Sequence, residues 1–252
     1  MRLHLYTGYD KQVLVERLIE QGHDVSAVVV PRAEKYRGYL DAFLTRVGDL
    51  GIPVFEVRRG DISETVTLDD PATVLVSVGF PLILRPEAFS RYQHAVNFHP
   101  TLLPRHRGKY LNYVLLEADT ETGITAHLID EGIDTGPILA QEVIEVSSFD
   151  TIRSIKRRTL DVEPNFVLAV LGDIDRLVDV AVPQDESLAT LHLEPREPSD
   201  SELDASLPLH DLLPTIRASD PEFYPAYFWL DGHRVVVSLA REDRPQTEQD
   251  MI

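Results

Sequence analysis

Short continuous apolar runs alternate with longer stretches whose apolar residues recur every three or four positions, from the N-terminus to about Leu177. Leu3–Tyr6 predicts a first strand, and Thr7-Gly8-Tyr9-Asp10 a turn into a helix capped by Asp10, with Val13, Leu14 and Ile19 at helical spacing. Asp24–Val30 is a β-branched run suited to a buried parallel strand. Tyr36–Leu50 predicts a second helix that stops at Gly51, with Leu40, Phe43, Leu44 and Val47 on one face. Val54–Val57 and Thr73–Val78 predict strands, Pro86–Tyr92 a short helix, and Ala95–His99 a further strand.

Downstream, Gly123–Ile129 and Ile138–Val146 alternate well enough for two more strands. Asp150 to about Leu177 has a helical pattern interrupted by Pro164. Pro183 to about Leu207 is acidic, contains prolines and lacks a period, which predicts an exposed linker. Phe223–Ala240 carries Asp231-Gly232 between strand formers, a hairpin signal, and Arg241–Ile252 reads as a polar tail. Alternating strands and helices imply an α/β fold with a mostly parallel, Rossmann-like sheet. The expected division is a catalytic domain over 1–180, an acidic linker over 181–207, and a small C-terminal β-hairpin unit with its tail over 208–252.

Composition narrows the partners. The net charge is −18, which argues against nucleic acid, because phosphate binding needs clustered Lys and Arg to release counterions. One local basic pocket could still hold a diphosphate. There is no cysteine, so neither disulfides nor thiolate metal sites are available. The apolar run at the N-terminus is too short for a signal peptide and no run approaches a membrane span, so a cytoplasmic location is expected.

The densest chemistry lies between Val96 and Gly136. Asn97 and His99 stand two apart at the end of a strand, so their side chains share a face. An amide donor beside a group that titrates near neutrality suits acyl transfer, which needs an oxyanion partner and a proton acceptor. Asp134, in a loop flanked by Gly132 and Gly136, could orient that histidine. Asp130 and Glu131 in the same loop have no histidine at metal-ligand spacing, so no metal is expected there. Thr7-Gly8-Tyr9-Asp10 is no dinucleotide fingerprint, since G-x-G-x-x-G is absent.

Asn97-Phe98-His99-Pro100-Thr101-Leu102-Leu103-Pro104, with Asp130-Glu131-Gly132-Ile133-Asp134-Thr135-Gly136 downstream, resembles the signature of folate-dependent formyltransferases. A weaker patch, Thr215–Ala218 with Tyr224–Gly232, resembles the C-terminal hairpin of nucleotide-sugar N-formyltransferases. The resemblance implies formyl transfer from 10-formyltetrahydrofolate to a primary amine, without a metal, and a formyltransferase fold. It makes Asn97 the donor to the oxyanion, His99 the proton acceptor and Asp134 its orienting partner. It places Phe80, Ile83 and Leu84, with Ile129 and Ile133, as walls of the pterin slot, and has the backbone of Asp130 and Glu131 bond the pterin.

Gly8, Tyr9, Thr101, Arg105, Arg107 and Lys109 become candidates for holding the amine-bearing substrate, the last three forming with His106 the compact basic cluster of an acidic chain. The chain departs from the family in Lys109-Tyr110-Leu111-Asn112-Tyr113, where a proline usually follows Arg-Gly. His127 reads as a support for the loop, and neither His106 nor His192 has an asparagine placed beside it as His99 has. A nucleotide-linked amino sugar is the expected acceptor and a homodimer the expected assembly. The alternatives are another small amine (a phosphoribosyl amine, an amino acid or a hydroxylamine) and hydrolysis of formyltetrahydrofolate by the same three residues.

Overall fold

The computed structural model describes residues 1–109, 111–194, 196–248 and 250–252. Its elements follow in order as β1 (Arg2–Tyr6), α1 (Gln12–Glu20), β2 (Asp24–Pro31), α2 (Glu34–Asp49), β3 (Val54–Val57), α3 (Ile62–Thr65), β4 (Val74–Val78), α4 (Pro86–Phe89) and β5 (His94–His99). Then come β6 (Arg107–Gly108), α5 (Tyr113–Leu116), β7 (Glu121–Leu128), β8 (Ile138–Glu145), α6 (Ile152–Gly172), α7 (Ile174–Asp179), β9 (Leu191–His192), α8 (Leu209–Ala218), β10 (Tyr227–Leu230) and β11 (His233–Val236). The seven-stranded sheet runs in the order β3-β2-β1-β4-β5-β7-β8. Its first five strands are parallel, and β7 runs antiparallel to β5. The expected Rossmann-like sheet and the C-terminal hairpin are both present.

Two compact units divide the chain. One comprises Met1–His99, Thr125–Gln141 and Pro164–Glu186, and the other Pro100–Ile124, Glu142–Glu163 and Ser187–Ile252. In the first, Leu3 and Leu5 on one face of β1, and His4 and Tyr6 on the other, are all buried, so this strand is covered on both sides. Tyr6, Val29, Leu75, Leu84, Tyr92 and Ala95 share one core cluster. The polar atoms carried into it are paired: the Tyr92 hydroxyl lies 2.9 Å from both Tyr6 Oη and His4 Nδ1. Burial and the neighbouring Arg2 pull the His4 pKa down to about 4, so the ring is neutral there.

Local signals mark two boundaries in this unit. Asp10 Oδ1 accepts the Gln12 N–H at 2.8 Å, at the start of α1. Gly51 follows α2 at φ 71°, the left-handed position that ends many helices. Beyond α7, Val182 bridges Ile138, within the stretch expected as a linker.

In the second unit, Val114 and Leu115 of α5, Ile152 and Ile155 of α6, and Ala218 of α8 form one cluster. Leu203, Ile216 and Ala226 form another, against which Phe228 packs. The hairpin turn is Asp231-Gly232, both with positive φ (50° and 79°), the geometry whose twist matches its flanking strands. Helix α8 and the β6–β9 pair were not foreseen: Pro214 inside α8 hides its period, and two-residue strands have none. Among the described residues no helix is long and apolar enough to cross a membrane.

Candidate active site

Parallel strands β1, β4 and β5 are neighbours, so the loops that follow them leave the same edge of the sheet. The Gly8 N–H bonds the Gly79 carbonyl at 3.1 Å, which ties the loop after β1 to the loop after β4. A side chain at Gly8 would press on the Pro81 ring, 2.7 Å from Cδ. Tyr9 is half exposed beside it.

At the end of β5 the pleat puts Asn97 and His99 on one face, as their spacing requires. The partner strand decides what they meet. In the β5–β7 register Asn97 lies opposite His127, and His99 opposite Thr125. Asn97 Nδ2 is 3.1 Å from His127 Nε2 and 3.2 Å from Asp134 Oδ1. His127 Nδ1 lies 2.8 Å from the Leu128 carbonyl oxygen, which can only accept, so Nδ1 carries the proton of the neutral ring. Nε2 then holds a lone pair and takes one Asn97 N–H, while the other Asn97 N–H points at Asp134. The second oxygen of Asp134 faces His99 Nδ1 at 3.4 Å. His99 and His127 are buried, and the Asp134 side chain is largely so.

Asp134 reaches this place from a loop with unusual backbone demands. Its own φ is 54°, a region that Asp tolerates better than most residues because its short polar side chain bonds locally. A Cβ at Gly136 would overlap the Leu128 carbonyl oxygen, and one at Gly132 the Thr135 hydroxyl. Asp130 Oδ1 accepts from the Thr135 hydroxyl at 2.6 Å and from the Gly132 N–H at 3.1 Å. That carboxylate therefore organises the turn. Gln184 Nε2 donates to the carbonyls of Asp134 and Gly136, each at 2.8 Å. Gln184 lies in the acidic stretch read as a linker, where no sequence signal marks it.

The apolar candidates separate. Phe80 and Ile129 pack on the cluster that holds buried Leu84, and Phe80 sets its ring edge-on to Tyr6 at 5.2 Å. Ile83 is exposed, Ile133 is half-buried outside that cluster, and Glu131 is exposed.

Thr101, Arg105, Arg107 and Lys109 belong to the second unit. The Thr101 hydroxyl bonds the Arg105 carbonyl at 3.1 Å, Arg107 is buried, and Arg105 pairs with Asp119 at 2.7 Å and Glu117 at 3.0 Å. Tyr110 lies outside the described residues.

An amide, an imidazole and a carboxylate in contact at a strand end can hold an oxyanion and accept a proton, the requirements of acyl transfer. A family model described as formyl transferase matches residues 6–171, a span that contains all of them. The chain belongs to the formyltransferase family. It is 29% identical to a methionyl-tRNA formyltransferase of Cereibacter sphaeroides over 98% of this chain and 83% of that one. The fold of this formyltransferase matches a sugar N-formyltransferase from a Shewanella species with a TM-score of 0.71 and 20% identity, over 96% of this chain and 98% of that one. It also matches an N-formyltransferase from Helicobacter canadensis, solved with folinic acid and dTDP-3-aminofucose, with a TM-score of 0.68 and 17% identity, over 93% of this chain and 85% of that one.

Proposed function

We propose that this formyltransferase moves the formyl group of 10-formyltetrahydrofolate onto the primary amine of a nucleotide-linked amino sugar. The Asn97–Asp134–His99 contact carries the reaction, since it places an amide and an oriented imidazole side by side at a strand end. The substrate amine attacks the formyl carbon and a tetrahedral oxyanion forms. Asn97 turns one N–H to that oxygen, exchanging a partner it holds in the absence of substrate. His99, with Nδ1 held by Asp134, takes the amine proton at Nε2. Collapse breaks the bond between the formyl carbon and N10 of the folate, and that nitrogen receives the proton. Phe80, Leu84 and Ile129 supply the apolar wall for the pterin, and Ile83, Ile133 and the backbone at Asp130 and Glu131 complete its slot. Gly8 and Tyr9 approach the acceptor, and Thr101, Arg105, Arg107 and Lys109 are assigned to it as well.

The choice of acceptor is supported by the match over nearly the whole length of both chains to a sugar N-formyltransferase, and by dTDP-3-aminofucose in the Helicobacter canadensis relative. The net charge of −18 weighs the same way, because a tRNA acceptor presents a dense phosphate backbone. The curated relative named for methionyl-tRNA keeps that acceptor as the second reading. The enzyme acts in the cytoplasm and as a homodimer in this proposal.

The test is formyl transfer from 10-formyltetrahydrofolate, read by mass spectrometry on a panel of dTDP-amino sugars and on initiator methionyl-tRNA, with wild type and His99→Ala in parallel. A formyl mass gain on a sugar that vanishes in the variant is the expected result. Gain on the tRNA alone overturns the acceptor, and release of formate with every acceptor unchanged supports the hydrolase.

A further inference from the structure

In the second unit, two histidines 86 positions apart in the chain meet: His106 Nδ1 lies 3.2 Å from His192 Nε2. Glu117 Oε1 is 3.4 Å from the same His192 nitrogen. One ligand atom from each of the three residues falls within 4.8 Å of the others. We propose that His106 Nδ1, His192 Nε2 and Glu117 Oε1 form a binding site for a divalent cation of the zinc class, with the fourth position open to water.

The His106–His192 and His192–Glu117 separations are those of neighbouring ligands in a coordination sphere. Two nitrogens about 2.05 Å from a tetrahedral zinc stand about 3.3 Å apart, and a carboxylate oxygen stands at a similar distance from each. Two imidazoles and one carboxylate are also a donor set that Zn²⁺ favours over Mg²⁺ or Ca²⁺, which take oxygen. His106 Nε2 donates to Asp119 Oδ2 at 2.6 Å, which leaves Nδ1 as the lone pair aimed at His192. A carboxylate behind a ligating histidine is the usual way to fix the tautomer and the ring orientation.

The remaining oxygens are also engaged, since Glu117 Oε2 and Asp119 Oδ1 both pair with Arg105. That guanidinium offsets one of the two negative charges, so a divalent cation brings the cluster from about −1 to about +1 rather than creating an isolated buried charge. The Tyr113 ring stacks on His192 with centroids 3.6 Å apart and planes within 7°, holding the imidazole in place. His106 immediately precedes β6 and His192 ends β9, and in this pair Arg107 faces Leu191 and Gly108 faces His192. A bound cation would therefore clip together two chain segments joined here by two residues on each side.

The experiment uses the untagged full chain, with Zn²⁺ alone in equilibrium dialysis and Co²⁺ alone as the optical probe. Wild type should take up one equivalent of Zn²⁺, and Co²⁺ should give the intense visible bands of a tetrahedral site. His192→Ala should weaken uptake by at least about 100-fold. Glu117→Gln, a change at an exposed side chain that leaves the fold intact, should weaken it by about 10-fold, while His99→Ala should leave it unchanged. Absence of saturable uptake by wild type overturns the proposal. So does uptake that survives Glu117→Gln undiminished or disappears in His99→Ala, since the metal would then sit elsewhere. None of these readings depends on formyl transfer, so this site and the proposed reaction fail separately.

Discussion

Asn97 of β5 and His127 of β7 stand directly opposite each other, and the amide nitrogen of one lies 3.1 Å from Nε2 of the other. The proton on His127 Nδ1, held by the Leu128 carbonyl, is what makes Nε2 an acceptor. In the proposed mechanism His127 thereby fixes which end of the Asn97 side chain faces Asp134 and serves as a positioning residue.

The consequence is a split in kinetic constants. His127→Leu should lower kcat by about 10-fold, corresponding to about 1.4 kcal/mol, and leave both KM values nearly unchanged. His127→Gln, whose amide oxygen can accept the same N–H, should recover part of the loss. Equal kcat in wild type and His127→Leu would refute the positioning role.

Asp134 carries charge and backbone geometry together. Asp134→Asn keeps a residue that accepts φ 54° while removing the carboxylate beside His99. It should lower kcat by about 100-fold or more with little change in Tm. Asp134→Ala should lose activity similarly and also lose about 1 kcal/mol of stability, from a β-carbon without a compensating polar group in the left-handed region. Thermal melts of the two variants, run with activity assays, separate the effects.

Gln184 clamps the loop through two carbonyls, those of Asp134 and Gly136. Gln184→Ala removes both bonds at a typical net cost of about 1 kcal/mol each. Faster amide hydrogen exchange over residues 130–137 and a several-fold fall in kcat are expected. Unchanged exchange in that segment would show that the loop holds its shape without the glutamine.

His4 makes stability depend on pH in a definite direction. Its pKa is about 4 in the folded chain against an ordinary value of 6.5. As pH falls below 6.5 the unfolded chain gains a proton that the folded chain refuses. Stability from this group is therefore complete above pH 6.5, falls toward pH 4 and levels off below it. The full difference corresponds to about 3 kcal/mol. Urea unfolding at pH 7 and pH 4.5 should show a smaller loss for His4→Gln than for wild type, and an identical loss would remove His4 as the cause.

The sequence alone determined what depends on near neighbours. Runs such as Val74–Val78, buried throughout, specify parallel strands because a covered sheet needs apolar residues on both faces. Asp231-Gly232 specifies its hairpin because both residues accept positive φ. The pairing of Asn97 with His99 follows from the two-residue pleat, and the family is legible in the motif those residues open.

Only the tertiary structure decided what depends on register and on distant segments. Period-two alternation marks β7 as a strand, but its antiparallel pairing with β5, and thus His127 facing Asn97, is set by how the whole sheet closes. Gln184 lies in an aperiodic stretch, and its partners are 48 and 50 positions away. His106 and His192 are further apart still, and no local pattern brings them together. Side-chain periodicity encodes which face a residue occupies, while the partner across that face is chosen by long-range packing.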